Sequence, residues 1–173
     1  MQIKPRSLVV EEERPLELLF ACHQKIRHFS MLSGQVAAHV SMRGVDEEAR
    51  LAACNILRYF ELALPHHHAD EEEDVFPALL QLHDPLINHA IDGLQKAHRE
   101  LDLMWTEIRP WLNQIANSKA PATTPLVLSR FINTYLAHAD QEERDVFPAI
   151  ARLPEGVVEQ LAQRMRQRRG SST

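Results

Sequence analysis

A stretch of about a dozen residues occurs twice in this chain, and the copies restrict the fold more than any other feature. His66 to Leu79 reads HHHADEEEDVFPAL, and Ala137 to Ile150 reads AHADQEERDVFPAI. With the two DVFPA runs superposed, His67 falls on His138, Glu71 on Glu142, Phe60 on Phe131, and Phe76-Pro77 on Phe147-Pro148. A match at one fixed offset is an internal repeat. Each copy holds a histidine with a glutamate four residues on, a spacing that puts both side chains on one helix face, one turn apart. We read the copies as two halves of one metal site.

The rest of the chain reads as helices that carry these halves. Pro15 suits a first helical turn, and Leu19, Phe20, Ile26, Ala37 and Val40 follow a helical period that should close near Gly44. Asp46 is an N-cap for a second helix with Leu51, Leu57 and Phe60 inward, which Pro65 should kink or restart. The same face continues through Leu64, His67, Glu71, Val75, Ala78 and Leu82. Asp84-Pro85 starts a third helix, whose seam runs Ile87, Ile91, Leu94, His98, Leu101, Trp105, Ile108 and Leu112, with Pro110 bending or ending it. After the loop NSKAPATT, Thr124-Pro125 opens a fourth helix with Leu128, Phe131, Ile132, Tyr135, His138, Glu142, Val146 and Ile150 inward. A short fifth helix carries Val157, Val158, Leu161 and Met165, and the basic end RQRRGSST reads as a solvated, fraying terminus. The expected fold is all-α, an up-down-up-down four-helix bundle over residues 15–153, with a lead-in over 1–14 and an extra helix and tail over 154–173.

Each of the four long helices places one histidine inward: His23, His67, His98 and His138. One such histidine is most often a hydrogen-bonded core residue. The two inward glutamates resist that explanation, because burying an ionised carboxylate without a partner costs several kcal/mol. No Lys or Arg occupies a seam position at this level, so metal cations are the economical counter-charge. Four imidazoles and two carboxylates exceed the needs of one tetrahedral zinc and suit two first-row ions bridged by the carboxylates. The two cysteines, Cys22 and Cys54, form no C-x-x-C, which argues against thiolate sites and against a disulfide framework. Cys22 is expected to point away from the seam. No Glu-x-x-His of the di-iron carboxylate type and no H-E-x-x-H is present.

The combined pattern of His23, His67-x-x-x-Glu71, His98 and His138-x-x-x-Glu142, with both F-P pairs, resembles the hemerythrin-like (HHE cation-binding) family over roughly residues 15–153. The resemblance implies a four-helix bundle holding two iron ions bridged by oxo or hydroxo groups, with Zn or Mn as possible substitutes. It implies a small diatomic partner, O2 or NO, and a redox partner that the residues do not identify. Family members include oxygen carriers and sensors, and proteins that respond to NO or repair iron–sulfur clusters. The ligand spacing is similar to that of the repair branch. Those proteins carry an N-terminal cysteine-bearing module, whereas about 14 residues precede the first helix here.

A second departure concerns the third helix, where oxygen-carrying hemerythrins have His-x-x-x-His. The positions four away from His98 are Leu94 and Asp102. His66, His68 and Asp102 are candidate extra ligands, and Tyr135 is a candidate partner for a bound ligand. His28, His39, His83 and His89 read as surface or loop residues. Glu72, Glu73, Asp74, Glu143 and Asp145 read as solvated faces, some of which orient the imidazoles. Three functions fit: a di-iron protein that binds or senses O2 or NO, a di-iron enzyme of cluster repair or of NO and peroxide detoxification, and a bundle that metal merely holds together. Net charge −5 argues against nucleic acid, and no apolar run approaches the length that spans a membrane. With no signal peptide in MQIKPRSLVVEEERP, a cytoplasmic location is expected.

Overall fold

Proline placement explains most of the helix boundaries. In the computed structural model, which describes residues 14–170, Pro15 opens α1 (Pro15–Arg43) as expected. Gly44 closes it at φ +80°, a conformation that favours glycine, with its N–H on the Val40 carbonyl. Asp46 caps α2 (Glu47–Arg58) by accepting from the Ala49 N–H, and Asp84 caps α5 (Pro85–Ala116) by accepting from the Leu86 N–H. The lead-in expected over 1–14 lies, but for Arg14, outside the described residues.

Besides Pro110 in α5, three prolines sit inside helical rods rather than at their starts, and the same device accommodates these three. Between α2 and α3 (Leu64–Ala69) the turn Tyr59–Ala63 is wide, and the N–H of Leu64, just before Pro65, reaches back five residues to the Tyr59 carbonyl. Between α3 and α4 (Phe76–Leu80) a second wide turn, Asp70–Val75, ends with the Phe76 N–H on the Glu71 carbonyl. After α6 (Leu128–Gln141) a third, Glu142–Val146, ends with the Phe147 N–H on the Glu142 carbonyl. A proline ring crowds the carbonyl four residues back, and a π-type turn gives it room. Pro65 therefore does not restart the helix, and α2 to α4 form one rod with helical backbone at every junction.

Pro110 does not end α5, which continues to Ala116. Thr124-Pro125 does not open α6 directly: Pro125 begins a turn whose carbonyl takes the Leu128 N–H, and the helix starts at Leu128. The fourth rod finishes with a tight helical turn, Phe147–Arg152, before α7 (Glu155–Gly170).

The core is two apolar clusters. One holds Leu19, Val75, Phe76, Leu79, Ile91, Leu94, Val146 and Phe147, and the other holds Ile26, Ile56, Phe60, Leu64, Leu101, Ile108, Phe131 and Tyr135. Between them lies a layer of buried His and Glu. The chain passes from the Leu19 cluster through His23 to Ile26 on α1, then back from Leu64 through His67 and Glu71 to Val75. It repeats this from Leu94 through His98 to Leu101, and from Tyr135 through His138 and Glu142 to Val146. The described residues are almost wholly helical with no strand, and α1 packs on α2 and α6 while α5 packs on the same two. Two seam expectations fail: Phe20 is 40% exposed and Leu51 49% exposed.

Over residues 166–170 the basic end is not a fraying tail. Residues 166–170 are helical, and Arg164 and Arg168 of α7 close on Asp70, Glu73 and Asp74 of the second rod. Arg169 adds a contact of 2.6 Å to Asp70, which is completely buried, and Asp74 is buried rather than solvated. Ser171 to Thr173 lie outside the described residues. The double substitution Arg168→Ala/Arg169→Ala would leave Asp70 buried without a counter-charge, and breaking such a pair costs about 3–5 kcal/mol. Urea unfolding should register a loss of that size, and a change under about 1 kcal/mol would show that Asp70 needs neither arginine.

Candidate metal centre

The buried layer brings all six expected site residues together. His23 comes from α1, His67 from α3, Glu71 from the wide turn after α3, His98 from α5, His138 from α6 and Glu142 from the wide turn after α6. None is more than 4% exposed. The repeat is reproduced in space: His67 Nε2 lies 3.1 Å from Glu71 Oε1, and His138 Nε2 lies 3.1 Å from Glu142 Oε1. His23 Nε2 is 3.1 Å from Glu142 Oε2 and 3.8 Å from Glu71 Oε1, and His98 Nε2 is 3.5 Å from Glu71 Oε2.

These donors form two groups of four. His23, His67, Glu71 and Glu142 can each offer a ligand atom within 4.8 Å of one another, and so can Glu71, His98, His138 and Glu142. Both glutamates belong to both groups. Despite the short approaches, His23 Nε2, both nitrogens of His67, and both oxygens of Glu71 and of Glu142 are buried with no hydrogen-bond partner. Buried polar atoms are satisfied in nearly all folded proteins, so a cluster of orphans needs something further to bind. Imidazole nitrogens and carboxylate oxygens without thiolate are a donor set for first-row divalent cations, and the residues fit such ions.

The second use of each repeat is to aim the other hairpin's histidine. Glu143, next to Glu142, sits 2.8 Å from His23 Nδ1, and Glu72, next to Glu71, sits 2.7 Å from His98 Nδ1. Each carboxylate accepts the Nδ1–H and so turns Nε2 inward. Arg27 holds Glu143 in turn at 2.8 Å. The phenylalanine of each F-P pair lies parallel to the same imidazole, Phe147 with His23 at 5.0 Å between ring centroids and Phe76 with His98 at 6.3 Å. The His, both Glu and the Phe of H-x-x-x-E-E-x-x-V-F-P thus each touch this layer in both copies. The sequence marked the F-P pairs by repetition but showed no reason for them.

Of the candidate extra groups, the structure brings in only His68. Its ring stacks on His98 at 4.1 Å, and its Nε2 is buried without a partner. Its place beside His67 concealed this, because adjacent residues point to different helix faces. Asp102 is exposed and belongs to neither group. Tyr135 packs edge-on against Phe131 at 4.9 Å within the apolar cluster, and burial holds its hydroxyl well above the usual phenol range. His66 is partly buried and outside both groups. Cys22 faces away from the layer, in contact with Arg169.

Burial and mutual repulsion set the protonation of this layer. Burial, then the charge of Glu142, pushes Glu71 well above the usual carboxylate range. Burial resists the charge on Glu142 too, but His138, His23 and His67 outweigh it and hold that carboxyl low. His23 is driven up to about 10, because Glu142 and Glu71 overcome the opposing effect of burial. Burial, then the charge on neighbouring imidazoles, pushes His67 well down and His98 to about 4. At neutral pH the protein alone therefore keeps a proton on His23 and neutral imidazoles at His67 and His98, while burial and the charge of Glu142 disfavour the ionised form of Glu71.

A buried helical layer of shared carboxylates and imidazoles defines a cation-binding helical protein. The hemerythrin HHE cation-binding domain model matches residues 14–150, and the chain belongs to that family. It is also 30% identical over 143 residues to an uncharacterized protein of Haemophilus influenzae, a match spanning 83% of either chain.

Divalent-cation binding should release a proton, since protonated His23 must give its own up to act as a ligand. Affinity should rise with pH toward the His23 value of about 10, by up to about tenfold per pH unit for each proton released. Zinc titration in weakly buffered solution measures this directly, and proton-neutral binding at pH 7 would contradict it. Glu72→Ala or Glu143→Ala should weaken cation binding about 10–100-fold without unfolding the chain, read by competition with a chromophoric chelator. Unchanged affinity in both would mean that the imidazoles are aimed by packing alone.

Proposed function

We propose that this chain is an up-down-up-down four-helix bundle that holds two iron ions and binds a small diatomic ligand, O2 or NO, in the cytoplasm. The observation that carries the reading is the sharing of Glu71 and Glu142 between two groups that otherwise have two histidines each. One cation in the group of His98 and His138 would leave His23 Nε2 and both nitrogens of His67 without a hydrogen-bond partner, whereas two cations would use every donor and share both carboxylates. Zinc and manganese suit much of the same donor set, but iron adds the one-electron chemistry that takes up O2 or NO.

The protein's own part is to hold, aim and seclude. Glu143 and Glu72 keep the Nδ1 proton of His23 and His98, leaving Nε2 free. The apolar clusters on both sides keep bulk water from the layer. Leu94 is fully buried and Asp102 exposed, so the third helix supplies one imidazole and no second. The two groups are thereby similarly furnished, which favours reactive iron over long-lived oxygen carriage. A surface cleft of about 580 Å³ between α5 and α6, bordered by Ala97, Thr134, Ala137 and His138, brings open space to the layer.

The test is anaerobic titration of metal-free protein with ferrous iron, then stopped-flow mixing with O2 or NO. Uptake should saturate at two ions per chain. Glu142→Ala should lose both, and His98→Ala mainly one. The ferrous protein should change its optical spectrum with NO and oxidise rapidly in air. Saturation at one ion, or an NO-silent spectrum, would refute the assignment. An oxygenated form that persists for hours and releases O2 under vacuum would restore the carrier role.

A further inference from the structure

A cavity of about 600 Å³ opens on the outer side of α1 and the second rod, away from the α5–α6 cleft. Its cationic wall comes from three elements: Lys25 on α1, Arg58 at the end of α2, and Arg169 on α7. Among the described residues no carboxylate lines it. That is unexpected in a chain with 24 acidic and 19 basic residues, where Arg27, Arg50, Arg130 and Arg152 all close on carboxylates. Arg169 is anchored by Asp70 at 2.6 Å and by the Met165 carbonyl. Lys25 and Arg58 make no ion pair among the described residues and are exposed at the cavity.

The other part of the wall is apolar and flat. Phe29 and Tyr59 lie stacked with centroids 4.5 Å apart, and the Leu62 side chain is 63% exposed at the lip. A cavity of this volume is within the range that holds small molecules. Unneutralised cations beside an aromatic surface select an anion that carries a planar apolar body.

We propose that this cavity is a binding site for a small aromatic or similarly flat carboxylate, with its charge at Lys25 and Arg58 and its body against Phe29, Tyr59 and Leu62. The position ties it to the metal centre without being part of it. Cys22 and His66 also line the cavity, and each is followed in sequence by a residue of the buried layer, His23 and His67. An occupant therefore lies against the outer side of the two segments that hold His23, His67 and Glu71, three members of one four-residue group. It enters by a face different from the cleft at His138, so it does not compete with a diatomic ligand.

The test is equilibrium dialysis of the protein as isolated against radiolabelled benzoate, with benzamide as the neutral isostere. Benzoate should bind saturably at one site per chain, more weakly as salt rises, and benzamide at least about tenfold more weakly. Lys25→Glu/Arg58→Glu, at two exposed helical positions, should abolish benzoate binding while metal content and helicity stay as in the parent. Arg130→Glu, on the opposite side, should leave it intact. Leu62→Glu should weaken it by adding an anion at the lip. No saturable benzoate binding, equal binding of benzamide, or equal loss in the Arg130→Glu control would overturn the proposal. Because the readout is benzoate and not iron, failure here leaves the two-ion reading standing, and loss of that reading leaves the cavity to be judged separately.

Discussion

Two carboxylates buried among four imidazoles are the constraint on which the rest of this structure depends. Glu71 and Glu142 are fully buried, and among the described residues no Lys or Arg is buried in their layer. An apolar core around such groups is unstable unless their charge is answered, because desolvation is costly and like charges repel at short range. The protein alone answers only partly, by charging His23 and by disfavouring the ionised form of Glu71. The unsatisfied nitrogens and oxygens that remain are the physical basis of a cation-binding site in this bundle. They also explain the two separate apolar clusters: the polar layer divides the core, and each cluster closes one side of it.

The helical rods are shaped to serve that layer. A straight α-helix would present His67 and Glu71 one turn apart, but the prolines at 77 and 148 force the following turn wide. The wide turn begins beside the glutamate in both copies, and the glutamate carbonyl takes the N–H of the phenylalanine before the proline. That phenylalanine then lies along the imidazole from another helix. Backbone irregularity, aromatic packing and imidazole orientation are one device used twice. Its halves are not identical: Asp70 corresponds to Gln141, and only Asp70 is answered by arginines of α7. The second rod therefore carries an extra negative charge one residue from the layer, and α7 neutralises it.

Much of this was legible before any coordinates. The repeat alone identified His67, Glu71, His138, Glu142 and both F-P pairs, because identical side chains at a fixed offset imply identical work. Helical periodicity added His23 and His98, each lying on an apolar seam. Caps at Asp46 and Asp84 and the stop at Gly44 followed from local backbone chemistry, which is why they agree with the structure. Where local rules failed, packing had overruled them: Leu51 and Phe20 stay exposed although their spacing places them on apolar seams.

The sequence by itself determined the helical class, the membership of the buried layer and its donor chemistry, since these depend on spacing along single helices. Tertiary structure decided everything that needs two helices at once. Only the folded chain sets Glu143 against His23 and Glu72 against His98, stacks His68 on His98, and gathers Lys25, Arg58 and Arg169 around one cavity. The basic terminus shows the difference most clearly. Arg164 and Arg168 are spaced four apart, as are Asp70 and Asp74, so each pair lies on one helix face. That the two faces meet is a fact about how α7 packs, and periodicity along one chain segment carries no information about its partner across nearly a hundred residues.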